Sequence, residues 1–370
     1  MAKNSNLHNA KTAKNDEFYT QYEDIEAEMN AYIEYDKDVF RGKTVLCPCD
    51  DPEWSNFTKY FAANFERLGL KKFISTSYAQ SSSSAKVSLW EEESEQYDAE
   101  KHEKCGRLFI LDEDTNGSGR IDKDDLKWSY LSGNGDFRSE EVTALRDEAD
   151  FIITNPPFSL FREFIAWVMA GNKKFAVIGN MNAITYKEVF PLIRDNKMWL
   201  GCNFVKEFLL PNSDETQKFG NICWFTNVEH GIRHDSINCM SMSDNLRYNK
   251  KLIKKFSEDY GKLEYPKYDN YDAIEVPFVE AIPSDYEGVM GVPITFLDKY
   301  NPEQFEIVGH PQSGIIPDGW KGVSKDFVDL YYNQGNSGAI REGWINPVIV
   351  GHNGRAVVPY QRILIKKKGR

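Results

Sequence analysis

The sequence contains no uninterrupted apolar run near the roughly 18 to 20 residues that a membrane span requires. Its polar start, MAKNSNLHNAKTAKNDE, lacks the apolar core of a secretory signal. These absences predict a soluble, cytoplasmic protein with no membrane partner. Cysteine is sparse: the six thiols, Cys47, Cys49, Cys105, Cys202, Cys223 and Cys239, are scattered, so no disulfide framework is expected. Cys47 and Cys49 have no second close pair and no neighbouring histidine, which is poor spacing for zinc. An excess of positive charge is also missing. A formal net charge of -12 excludes a protein that coats nucleic acid indiscriminately, although it leaves room for an enzyme with a local basic cleft. The clusters Lys250, Lys251, Lys254, Lys255 and Lys366, Lys367, Lys368, Arg370 fit either a phosphate-facing patch or a solvated face. No internal repeat and no long low-complexity tract is visible.

What is present is enough apolar material for a substantial core. Of 370 residues, 41% are hydrophobic and 14% aromatic, which suits about two domains of ordinary size. A first strand is predicted at Lys43–Cys47, followed by the turn Pro48 to Glu53. Phe57, Tyr60, Phe61, Phe65 and Leu68 then form one apolar stripe at helical spacing, with Gly69 as its stop. A second strand is predicted at Lys72–Tyr78 and a third at Leu108–Leu111, and the Ser- and Glu-rich stretch Gln80 to Glu103 between them reads as an exposed loop or hairpin. Glu148–Thr154 reads as another strand, Leu160 to Met169 as an amphipathic helix ending at Gly171, and Lys174–Gly179 as a strand. The alternation predicts an open α/β sheet with ligands at the carboxyl ends of its strands. The run Gly220 to Asn227 closes this region. Beyond it the chain becomes rich in Tyr, Pro, Gly and Asp. A first domain over 1–229 and a smaller mixed or β-rich domain over 230–370 are therefore expected.

Asn155-Pro156-Pro157-Phe158 falls between the strand ending at Thr154 and the following helix. The Asn155 amide oxygen and the Pro156 carbonyl are two adjacent acceptors, and the fixed φ of the prolines stiffens the turn that presents them. Such acceptors suit an exocyclic amine on adenine, whose lone pair is delocalised into the ring and is a poor nucleophile without help. Phe158 offers a flat face on which an extruded base can stack. An isolated Asn-Pro-Pro-aromatic string is also compatible with an ordinary proline-rich turn, and its position between strand and helix is what favours the chemical reading.

With these residues the sequence resembles the adenine-N6 DNA methyltransferases, and more narrowly the EcoRI-type modification methylases. The resemblance runs over nearly the whole chain. It includes Asn15-Asp16-Glu17-Phe18-Tyr19-Thr20, Gly133-Asn134-Gly135-Asp136-Phe137-Arg138-Ser139, Asn155 to Phe158, Gly220 to Asn227, Tyr265 to Asp272 and Gly288 to Pro293. It implies a doubly wound, mostly parallel sheet of the Rossmann-like class I methyltransferase type, S-adenosylmethionine as cofactor and duplex DNA as partner. A monomer is expected. By resemblance, Phe18, Tyr19 and Thr20 line the methionine end of the cofactor. Asp136 accepts from its adenine amine, with Phe137 nearby. Cys47, Pro48 and Asp50 of the turn after the first strand are expected to contact the cofactor as well, with either Asp50 or Asp51 meeting the methionine amino group. Two departures from the family pattern stand out. This turn has no glycine, and the second strand, ending Ser75-Thr76-Ser77-Tyr78, has no acid for the ribose hydroxyls.

Asp112 to Asp125 resembles a calcium loop: Asp114, Asn116, Ser118 and Asp125 fall at positions 1, 3, 5 and 12, with Gly119 at the sharp turn. A structural calcium ion is one reading of this string, and a self-capped Asx-rich turn is the other. Two further functional classes share the chain's features. A methyltransferase acting on RNA or on a protein glutamine faces the same electronic problem, and a calcium- or nucleic-acid-binding module would need no cofactor at all.

Overall fold

The computed structural model describes residues 19–50, 55–79, 97–209 and 215–369. Phe18, Asp51 and most of the Ser- and Glu-rich stretch from Gln80 lie outside them. The chain divides into two compact units, one of Met1–Ala183 with Met198–Gly231, the other of Ile184–Lys197 with Ile232–Arg370. No helix among the described residues is long and apolar enough to cross a membrane.

The first unit is built on a nine-stranded mixed sheet. Its strands are β1 (Tyr19–Thr20), β2 (Thr44–Cys47), β3 (Lys72–Thr76), β4 (Arg107–Leu111), β5 (Lys127–Tyr130), β6 (Phe151–Thr154), β7 (Lys174–Asn180), β8 (Trp199–Leu209) and β9 (Thr216–Thr226). They lie in the order β1-β8-β9-β7-β6-β2-β3-β4-β5. Only the four central strands, β7-β6-β2-β3, are mutually parallel. Every other pairing is antiparallel. The mostly parallel sheet expected from the sequence is thus confined to the centre. For β8 and β9 the reason is connection length, because a parallel crossover takes a dozen or more residues and the link between them is only 210–215.

Successive residues of the central strands, which point to opposite faces of the sheet, are both buried. All four residues of β6 and all four of β2 are buried. The helices around them are α1 (Tyr22–Tyr35), α2 (Asn56–Ala63), α3 (Phe65–Leu68), α4 (Glu140–Glu148) and α5 (Phe161–Ala170). The stripe expected to form one helix from Phe57 to Leu68 is two, broken at Asn64. The Asn64 side chain donates to the Tyr60 carbonyl at 2.9 Å, competing with the helical ladder, and Gly69 at φ 62° closes the second piece. Glu148, expected in a strand, instead ends α4, which Ser139 caps by accepting from the Val142 amide.

Helix α1 was not foreseen, and its docking depends on one buried carboxylate. The pairing of β8 with β9 shifts register between Leu200 and Phe204, which takes backbone amides out of the ladder. The amides of Cys202 and Asn203 donate instead to Glu28, at 3.0 and 2.8 Å, and the Tyr32 hydroxyl donates to the same carboxylate at 2.5 Å. Glu28 is wholly buried, and burial pushes its pKa up to about 7 despite these donors.

The second unit carries a five-stranded sheet in the order β10-β11-β12-β16-β13: β10 (Lys267–Tyr268), β11 (Tyr271–Glu275), β12 (Val289–Pro293), β16 (Arg362–Lys367) and β13 (Phe305–Gly309). A two-stranded ribbon, β14 (Ile349–Val350) with β15 (Ala356–Val357), accompanies it. Arg362 pairs with the buried Glu275 at 2.6 Å, and the Tyr268 hydroxyl donates to the same carboxylate at 2.6 Å, so each buried charge has a partner.

The Asp112–Asp125 string is a self-capped turn. One oxygen of Asp125 accepts from the Thr115 and Asn116 amides and the other from the Asp122 amide, while Asp114 accepts from the amides of Gly117, Ser118 and Gly119. The carboxylates are engaged by the loop's own backbone, and no group of three or more acidic, His or Cys residues among the described residues forms a metal cage.

The loop from Gly133 to Phe137 is pressed against the end of β3. The Ala79 amide donates to the Asn134 carbonyl at 2.7 Å, and a Cβ at Gly135 would stand 2.1 Å from the Ser77 carbonyl oxygen. Gly135 also has φ 80°, so both space and backbone demand glycine here.

Two predictions follow from these contacts. For Glu28, the folded-state pKa lies above the unfolded one, so its contribution is fully present at pH below about 4.5 and is lost as pH rises through about 7. Urea unfolding of wild type and Glu28→Gln between pH 5 and 8 should show the wild type losing stability relative to the variant as pH rises, and a constant difference would contradict this. For the loop, Gly135→Ala should cost at least about 1–2 kcal/mol from the left-handed backbone alone, while Gly133→Ala, with open space around it, should be tolerated. Equal unfolding midpoints for the two variants would refute the packing described.

Candidate active site

Strands β3, β2 and β6 lie side by side and parallel, so their carboxyl ends open on the same edge of the sheet. Strand β6 ends at Thr154, and Asn155-Pro156-Pro157 leaves the sheet as an irregular turn. Asn155 and Pro157 are half-buried and Pro156 is buried. The Leu160 amide donates to the Pro157 carbonyl at 2.9 Å, starting the short 3-10 turn Phe158–Leu160 that runs into α5. Phe158 is half-buried. One edge of its ring meets the fully buried Phe208 at a centroid distance of 6.3 Å and 85°, so the residue is partly anchored in the core.

Strand β2 ends in the glycine-free turn. Cys47 is sealed in the core, and burial drives its thiol pKa well up. Pro48 is buried, and its carbonyl accepts from the Thr76 hydroxyl at 3.1 Å. Asp50, 6% exposed, turns its carboxylate inward. One oxygen accepts from Ser55 Oγ at 2.9 Å and the other from the Thr154 hydroxyl. The Asp50 carbonyl accepts from Ser75 Oγ at 3.1 Å, and Ser75 in turn accepts from Thr58 Oγ1 at 3.1 Å. One buried polar network therefore joins the ends of β3, β2 and β6 to the start of α2.

The N-terminal block joins the same network. Asn56, beside the α2 cap Ser55, donates from its side chain to the Thr20 carbonyl at 2.8 Å. Tyr19 is half-buried, whereas Thr20 is 2% exposed and its hydroxyl has no hydrogen-bond partner among the described residues. A buried orphan hydroxyl is costly unless a bound group completes it. On the other side, the Gly133–Phe137 loop lies over Ser77 and carries Asp136. Asp136 is held by Arg138 through two side-chain contacts, at 2.9 and 2.6 Å, and the guanidinium keeps its carboxyl below the usual range. Phe137 packs edge-on against Phe164 and Trp167 of α5, at 5.1 and 5.6 Å, as a core residue.

The blocks that carry Tyr19-Thr20, Asp50, Asp136 and Asn155, far apart in sequence, are thus tied at one set of strand ends through Thr20, Asp50, Gly135 and Thr154. The residues that do the linking, Ser55, Asn56, Ser75 and Thr154, had not been singled out from the sequence. Their signal was present but faint: each is a small polar residue at an element terminus next to an apolar run, where a buried side chain must find a partner.

Comparison with known proteins gives a consistent result. Residues 6–368 match the family model described as adenine-specific methyltransferase EcoRI. The chain is 42% identical over 324 residues to the type II methyltransferase M.EcoRI of Escherichia coli, covering 83% of this chain and 89% of that protein. It is 35% identical to M.MgeORF184P of Mycoplasma genitalium, over 81% of this chain and 84% of the relative. It is 33% identical to M.MpnI of Mycoplasma pneumoniae, over 81% and 83%. No solved structure matches the chain. The family match covers both units and every motif gathered at the strand ends, and the chain belongs to the EcoRI family of adenine-specific methyltransferases.

Proposed function

We propose that the protein is a site-specific DNA adenine-N6 methyltransferase that takes its methyl group from S-adenosylmethionine. The observation that carries this reading is the position of Asn155-Pro156-Pro157-Phe158, at the end of a central parallel strand and within one contact network with the Tyr19-Thr20 and Asp136 blocks. In this reading the parallel strands β3, β2, β6 and β7 with their helices are the core of a doubly wound, Rossmann-like class I fold. Residues 1–229 form the catalytic domain, and 230–370 recognise duplex DNA. The buried Thr20 hydroxyl, which has no partner among the described residues, fits a cofactor bearing amino, carboxylate and hydroxyl groups. Tyr19 and Thr20 would hold its methionine end and Asp136 its adenine amine, with Arg138 keeping that carboxylate ionised and aimed.

S-adenosylmethionine supplies a sulfonium methyl that is already electrophilic, so the protein's task is to prepare and align the nucleophile. The Asn155 amide oxygen and the Pro156 carbonyl accept the two hydrogens of the adenine amine, which favours a pyramidal, more nucleophilic nitrogen. Pro156 and Pro157 keep these acceptors from rotating. The target base must leave the helix to reach them, and in this reading the Phe158 ring holds it by stacking, worth about 1–3 kcal/mol.

Incubation of a random-sequence duplex pool with methyl-labelled S-adenosylmethionine, followed by nucleoside analysis, should give N6-methyladenine confined to one sequence context. Label on RNA, on protein glutamine, or on nothing would overturn the reading. In the same preparation, Asp136→Ala should weaken cofactor binding measured by calorimetry more than Lys250→Ala or Lys254→Ala does, and unchanged affinity would remove Asp136 from the cofactor site.

A further inference from the structure

The Asp50–Thr154 contact links residues 104 apart in sequence, and both are buried. Thr154 follows three apolar residues, Phe151, Ile152 and Ile153, that need nothing but packing. A valine there would fill the same space, yet the sequence places a hydroxyl, and that hydroxyl is directed at a carboxylate on the neighbouring strand's turn. Of the residues that follow, Pro156 and Pro157 have no amide hydrogen, so for two of the three positions after β6 the backbone cannot be tied to the sheet by an N–H donor. The last side-chain anchor before the acceptors is Thr154. Asp50, whose second oxygen is fixed by the α2 cap Ser55, is what Thr154 is anchored to.

We infer that Asp50 and Thr154 are a positioning pair that sets where the chain leaves β6 and hence the aim of the Asn155 and Pro156 acceptors. This rests on the proposed methyl transfer. It gives Asp50 a task different from meeting the methionine amino group of a cofactor. Neither residue touches the reacting atoms, so their effect should appear in the transfer step and leave binding intact.

The test uses the full-length enzyme, with single-turnover methyl transfer to a duplex containing the mapped site and cofactor affinity from calorimetry. Thr154→Val should slow transfer by about tenfold or more, because small misplacements of reacting groups cost large factors in rate. Its cofactor affinity and its KM for DNA should stay within about twofold of wild type. Thr154→Ser, which restores the hydroxyl, should recover most of the rate. Asp50→Asn, whose amide can accept from only one of the two hydroxyls, should also slow transfer at unchanged cofactor affinity. The pair is overturned if Thr154→Val transfers at the wild-type rate, or if affinity falls in step with rate in both Thr154 variants. It is equally overturned if Asp50→Asn loses cofactor affinity but keeps its rate at saturating cofactor. A wild-type enzyme that methylates no adenine would sink the reading of the function itself, and the pair with it.

Discussion

A carboxylate taken out of water must be met by donors, and at the strand ends of the large sheet that requirement falls on Asp50. It sits where three parallel strands end together, a place where the sheet's own hydrogen bonding runs out and the chain must turn. Ser55 and Thr154 satisfy it from opposite sides, and its main-chain carbonyl takes a third hydroxyl from Ser75. The cap of α2, the exit of β6 and the end of β3 are consequently fixed relative to one another. The blocks that resemble a methyltransferase site hang from these points: Thr20 from Asn56, Asp136 from the loop against Ser77, Asn155 from Thr154.

The glycine-free turn after β2 acquires a rationale from this arrangement. A glycine-rich turn lets a ligand approach bare backbone, whereas here Pro48 and Asp50 are buried and held by side chains. In the proposed function, recognition of the cofactor falls to groups outside the turn, from the β1 segment and from the Gly133–Phe137 loop. The same division explains the absence of an acid at the end of β3, where Ser75 and Thr76 are engaged in holding the Asp50 and Pro48 carbonyls.

Much of the centre was legible from local pattern. The runs read as strands at 43–47, 72–78, 108–111, 148–154 and 174–179 form strands at 44–47, 72–76, 107–111, 151–154 and 174–180, and the Asn-Pro-Pro-Phe turn lies at the expected strand-helix junction. What escaped were features fixed by distant partners. Helix α1 has a weak apolar stripe and is held by Glu28 reaching amides some 170 residues away, which no window reveals. The antiparallel flanks depend on which strands pair, and the break at Asn64 on a side chain competing with the helix. The Asp112–Asp125 string matched a metal loop by spacing, yet its carboxylates are met by the loop's own amides. Asp50 stands out in the sequence for its charge, whereas its hydrogen bond with Thr154 follows from no spacing rule.

The most direct test of the account is the effect of Asn155→Ala on two quantities in the same preparation, the single-turnover rate of methyl transfer to duplex DNA and the affinity for S-adenosylmethionine. If the Asn155 amide oxygen acts on the target amine, the rate should fall by about two orders of magnitude or more, in the range seen when a single polarising group is removed, with cofactor affinity nearly intact. A rate close to wild type, or an affinity that falls as far as the rate, would contradict it.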